Sequence, residues 1–116
     1  MEGRLGTVRI SPQVLATIAR LTTLSVPGVV SMAHDLPRDV NRLLRGKGGR
    51  EGVHIEIVDD AVSLDLYVVV DQKISLCQLG RKIQAQVSRA INDMVGMPVL
   101  AVNVHIEDIK RATAPE

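Results

Sequence analysis

VSLDLYVVVDQKISLCQLGRKIQAQVSRAINDMVGMPVLAVNVHIEDI, from Val62 to Ile109, is the stretch whose pattern decides the fold. Val62, Leu64, Leu66, Val68 and Val70 alternate with Ser63, Asp65, Tyr67 and Val69, which predicts a strand with one buried face. Ser75-x-x-Gln78 then has the form of a capping box, with Ile74 and Leu79 placed for a hydrophobic staple. In the helix that follows, Leu76, Leu79, Ile83, Val87, Ala90, Ile91 and Met94 share one stripe. Gly80 lies beside that stripe. A missing side chain there would let the helix sit close to a sheet, offsetting the ~1 kcal/mol that an interior glycine costs against alanine. The outer face carries Arg81, Lys82, Arg89 and Asn92. Gly96, followed by Pro98, suits the residue just past the helix end. A last strand then points Val102, Val104 and Ile106 inward and Ala101, Asn103, His105 and Glu107 outward.

Upstream, Thr7-Val8-Arg9-Ile10 alternates as a short first strand. Ser11-Pro12 opens a helix, serine as cap and proline at the first helical position. Val14, Ile18, Leu21 and Ser25 form its expected core stripe, flanked by Leu15 and Thr22. Ala16, Arg20 and Thr23 form its expected outer face. Pro27-Gly28 stops this helix, and Val29 to Ala33 suits a second strand. From His34 to Gly52 the periodicity is lost, which predicts a flexible loop. Val53, Ile55 and Ile57 alternate with His54 and Glu56, and Asp59-Asp60 is a turn signal into the Val62 strand.

The economical packing is an α/β two-layer (α+β) fold, with two helices on one face of a mixed sheet in the order β-α-β-β-β-α-β. At 116 residues the chain fits a single domain over residues 1–116, with an ordered core over about 6–109 and a frayed tail at 111–116. Apolar residues make up 46%, yet there is one Tyr and neither Phe nor Trp, so Val, Ile, Leu and Met must build the core. A net charge of +1 exerts no global pull on nucleic acid or membrane. A lone cysteine forms no internal disulfide. Met1-Glu2-Gly3-Arg4 opens no signal peptide, and no apolar run reaches the roughly 18 residues that span a bilayer. A cytoplasmic protein is expected.

Gly6-Thr7-Val8-Arg9-Ile10-Ser11, then Val14, Ile18-Ala19 and Pro27-Gly28-Val29, resembles the opening of the alkaline-shock protein family. Residues 62–70 resemble its central strand. Gln84, Val87, Ala90-Ile91 and Met94-x-Gly96 resemble its long helix, and Val102-Asn103-Val104-His105-Ile106 its closing strand. The resemblance spans about Gly6 to Ile109. It implies a bacterial, cytoplasmic, non-enzymatic protein tied to the cell envelope and to alkaline or cell-wall stress. It also implies self-assembly, with docking on a membrane-anchored protein partner at the inner membrane surface. Other members are encoded near a fatty-acid or dihydroxyacetone kinase-like protein. The resemblance supplies no catalytic residues and no cofactor. The chain departs from the family at Asp71-Gln72-Lys73, which lacks the usual glycine, and in its arginine-rich loop.

His54-Ile55-Glu56 and His105-Ile106-Glu107 each place an imidazole and a carboxylate on one strand face. If the two strands were neighbours in register, His54, Glu56, His105 and Glu107 would suit zinc. Otherwise they are two solvated polar faces. Cys77 stands near the start of the long helix, where a thiolate is favoured, but without a His or Asp motif it fits structural packing. Between Arg38 and Arg50, the basic residues Arg38, Arg42, Arg45, Lys47 and Arg50 are opposed only by Asp39. They suit solvation, an anionic membrane surface or acidic protein partner, or phosphate. Nucleic acid is disfavoured because Tyr67 is the sole aromatic side chain available for base stacking. Gly46-Lys47-Gly48-Gly49 lacks the spacing of a phosphate-binding loop. Tyr67 and Val69 make a small apolar patch on the open sheet face.

The leading expectation is therefore a scaffold that self-associates and binds a protein partner through the open sheet face and the arginine-rich loop. The alternatives are a nucleic-acid or ribosome-associated module, and an accessory subunit of a fatty-acid or dihydroxyacetone kinase-like enzyme.

Overall fold

A computed structural model describes residues 5–33, 52–71 and 75–110. Its elements are α1 (Pro12–Ser25), β1 (Val29–Met32), β2 (Val53–Val58), β3 (Ala61–Asp71), α2 (Leu76–Val95) and β4 (Val99–Lys110). The Ser11 hydroxyl accepts from the Val14 N–H at 3.3 Å, and Pro12 occupies the first turn of α1, where its missing N–H costs nothing. Asp59 and Asp60 both take positive φ, 50° and 64°, as a tight turn matching strand twist requires. Gly96 closes α2 in the left-handed region, its N–H bonded to the Asn92 carbonyl at 3.0 Å. Ser75 starts α2 through its backbone, and its side chain makes no capping hydrogen bond.

β3 is the axis of the sheet. β4 runs parallel to it along one side, from Val62↔Val99 to Asp71↔Lys110. β1 and β2 both run antiparallel to it, β1 along residues 68–70 and β2 along residues 61–66. A strand has two edges, so β1 and β2 lie end to end on the one that β4 leaves open. Tyr67 sits at their junction. Its carbonyl accepts from the Ala33 N–H at 2.8 Å, and its own N–H donates to the Gly52 carbonyl at 2.8 Å. Ala33 and Gly52 thus divide between them the two bonds that one residue opposite Tyr67 would make. β1 and β2 are two halves of one edge strand, and residues 34–51 are inserted at its midpoint.

The sheet is mixed and both helices pack on one face, as expected. α1 lies against β1, β2 and α2, while α2 covers β4. One core joins Leu15, Ala19, Leu79, Ile83, Val87 and Ile91 from the helices to Val53, Leu64, Leu66, Val68 and Val70 from the sheet. Other expectations change. Residues 7–10 join no strand, and Val8 is 90% exposed. α1 buries Leu15, Ala16, Ala19 and Thr23, whereas Val14 and Leu21 from its expected core stripe are 46% and 54% exposed. Small side chains let α1 approach two layers at once, and the Thr23 hydroxyl is satisfied by the Ala19 carbonyl at 2.7 Å. Gly80 marks no close approach: a Cβ there would meet nothing within 4 Å. On α2, Leu79, Ile83, Val87 and Ile91 are buried as expected, while Leu76 and Met94 at the ends are exposed. Ile74 of the expected staple lies outside the described residues.

Candidate functional site

With both helices on one side, the other side of β3 presents Ser63, Asp65, Tyr67 and Val69 at every second residue. The register brings His54 of β2 and Asn103 of β4 opposite Asp65, Glu56 opposite Ser63, and His105 opposite Tyr67. Asp65 Oδ1 accepts from Asn103 Nδ2 at 3.2 Å and lies 3.0 Å from His105 Nε2. The imidazole of His105 also stacks on the Tyr67 ring, centroids 4.5 Å apart and planes 12° from parallel. Strand pleat sets this group: Asp65 and Tyr67 are two residues apart on β3, and His105 bridges them from β4.

Burial, then the Asp65 and Glu107 carboxylates, push the Tyr67 phenol above its ordinary pKa of 10.0. At neutral pH it is a protonated donor and a flat apolar ring, a recognition group more than a base. His54 Nδ1 is buried without a hydrogen-bond partner. Beyond Tyr67 the face turns apolar, where Val69 and Ala33 form a second small cluster with Val30 and Tyr67. Val69 is only 8% exposed, so Tyr67, not Val69, is the accessible member of the expected patch. A cleft of about 200 Å³ follows, bounded by Ser31, Ala33, Glu107, Asp108 and Lys110.

His54 and Glu56 lie on β2, and His105 and Glu107 on β4, with the whole of β3 between them. The adjacency that a zinc site needs is not met, and among the described residues no three His, Cys, Asp or Glu side chains are grouped to hold a metal ion. Cys77 is exposed at the start of α2 instead of packed. Arg38, Arg42, Arg45, Lys47 and Arg50 lie outside the described residues. The points where their stretch departs and returns are fixed, however, both at Tyr67. Gly52 is constrained there, with φ +83° and space such that a Cβ would stand 2.8 Å from the Tyr67 carbonyl oxygen and 3.1 Å from that of Ala33.

The Asp65–His105–Tyr67 group escapes a sequence reading because it needs the β3–β4 register. The available signal is that Asp65, Tyr67, Asn103 and His105 all fall on outward positions of strands flanking one helix, the arrangement that makes two strands parallel neighbours.

Among the described residues no helix is long and apolar enough to cross a membrane. In sequence the chain is similar to the uncharacterized Streptococcus pyogenes protein Spy1535, 32% identical over 97% of this chain and 85% of that one. It is 26% identical to the uncharacterized Bacillus subtilis protein YqhY over 94% of this chain and 81% of that one. In fold it is similar to a copper form of the MamM CTD, with a TM-score of 0.54 and 14% identity over 86% of this chain and all of that one. MamM-CTD 215-293 gives a TM-score of 0.53 at 15% identity, over 84% of this chain and 99% of that one. A family model with a cell envelope-related function matches residues 1–111, and with the relatives above this shows that the chain belongs to the alkaline-shock protein family.

Proposed function

We propose that the protein is a non-enzymatic scaffold that self-associates and docks on a protein partner near the inner face of the cell membrane. The observation that carries this is the helix-free sheet face. At its centre Asp65 is engaged with Asn103 and His105, and His105 with Tyr67. They form a fixed relief flanked by Val30 and Ala33, and the insertion bearing Arg38, Arg42, Arg45, Lys47 and Arg50 opens from the same point. Tyrosine and arginine are both enriched at protein-binding surfaces. The cell envelope-related function of the family supports a partner at that boundary.

The test is co-sedimentation of the purified chain with washed inner-membrane vesicles, before and after protease treatment of the vesicles. The proposal expects binding that protease abolishes and that Tyr67→Ala weakens at least tenfold. The combined Arg38→Glu, Arg42→Glu and Arg45→Glu variant should weaken it further. Binding that survives protease would point to the lipid itself. Binding untouched by any of these variants would remove this face and its insertion from the function.

A further inference from the structure

Residues 5–10 include the strand-like alternation Thr7-Val8-Arg9-Ile10 and join no sheet. Val8 and Ile10 fall on one side of this segment, Thr7 and Arg9 on the other. All six residues are exposed, Leu5 by 96% and Val8 by 90%. The sheet in turn has an unused edge. β4 extends over Val99–Lys110 and, among the described residues, pairs with β3 on one side alone. An unpaired edge of that length offers a row of backbone donors and acceptors to any extended chain.

We propose that residues 5–10 of a second copy of this chain add to the free edge of β4, and that two copies exchange these segments reciprocally. The proposal rests on the self-association reading above and names its interface.

Three observations fit segment to edge. The helix side of β4 is incompletely covered: Val104 and Ile106 pack on the core yet stay half-buried. An added strand that turned Val8 and Ile10 to that side would complete their burial. The opposite edge is covered along most of its length, where Met32, Val53 and Ile55 are 3%, 0% and 4% exposed beneath α1, and opens only at the end of β2, where Ile57 and Val58 are 43% and 47% exposed. Second, with Val8 and Ile10 so placed, Arg9 emerges on the helix-free side, where β4 presents Glu107. Third, the segment's own chain is poorly placed to use it. Ser11 opens α1, which lies over β1 and β2, across β3 from β4. In a two-fold pair each copy gives one strand and receives one, so the contact is self-limiting. Backbone hydrogen bonds supply the affinity, and the alternating side chains set the register.

Analytical ultracentrifugation and amide hydrogen exchange across a dilution series test this on the full chain. The expected result is a dimer in which the amides of residues 7–10 gain protection as concentration rises. Val8→Pro removes a backbone donor from a segment outside the core, so it should leave circular dichroism unchanged and raise the dimer dissociation constant at least tenfold. Arg9→Glu should weaken the dimer, and adding Glu107→Arg should restore it. A dimer indifferent to Val8→Pro overturns the segment exchange while sparing self-association. A monomer at every concentration overturns both. Amides protected equally in dilute monomer would show that the segment folds on its own chain, which also overturns the exchange.

Discussion

Two glycines separate what a chain tolerates from what it requires. Gly80 is in the interior of α2 with open space where a Cβ would go. Gly80→Ala should therefore stabilise the fold by about 1 kcal/mol, read as a higher urea midpoint, since alanine relieves the helix penalty and meets no neighbour. Gly52 stands at +83° with two carbonyl oxygens in the way, and Gly52→Ala should cost roughly 1–3 kcal/mol. Sequence alone ranks these glycines in the reverse order, because a helix-interior glycine suggests a packing reason and a loop glycine suggests none. Tyr67 gives a second test. Its folded pKa lies above 10.0, so the folded state holds the phenolic proton more tightly than the unfolded chain. That contribution is complete below pH 10.0 and is lost as pH climbs through the raised value. Stability of the wild type should fall over that interval, and Tyr67→Phe should flatten the fall in a series of urea titrations.

At the scale of elements, α1 shows how periodicity is misled. Its aliphatic side chains define a stripe through Val14, Ile18 and Leu21, yet the helix turns Leu15 and the small residues Ala16, Ala19 and Thr23 inward to fit between the sheet and α2. Leu21→Lys should then change stability by less than about 0.5 kcal/mol, while Ala19→Leu should cost about 1–3 kcal/mol by overpacking. Thermal unfolding of the two variants reverses the order that the hydrophobic stripe predicts. β1 and β2 were each legible from their own residues. Their union into one edge strand was not, because the joint depends on Tyr67 bonding Ala33 and Gly52 at once. Replacing residues 34–51 by a two-residue Gly-Ser link should leave the circular dichroism spectrum and cooperative unfolding intact. Loss of folding would show that the insertion does more than interrupt a strand.

Across the whole molecule, the two-layer arrangement was readable because strand alternation and helix stripes each commit one side of every element to a core. The parallel β3–β4 pairing follows from the intervening α2, and it brings His105 to Asp65, 40 positions away along the chain, and to the neighbouring Tyr67. What one chain does not determine is the use of the surfaces left over: the helix-free face, the β4 edge and the unpaired segment before α1. These are complementary in kind, apolar against apolar, donor against acceptor, cation against carboxylate. They make self-association the central claim. Light scattering over a wide concentration range tests it most directly. The solution mass should rise with concentration from the 12.6 kDa of one chain to that of a dimer or larger assembly. A mass fixed at 12.6 kDa at every concentration would contradict it.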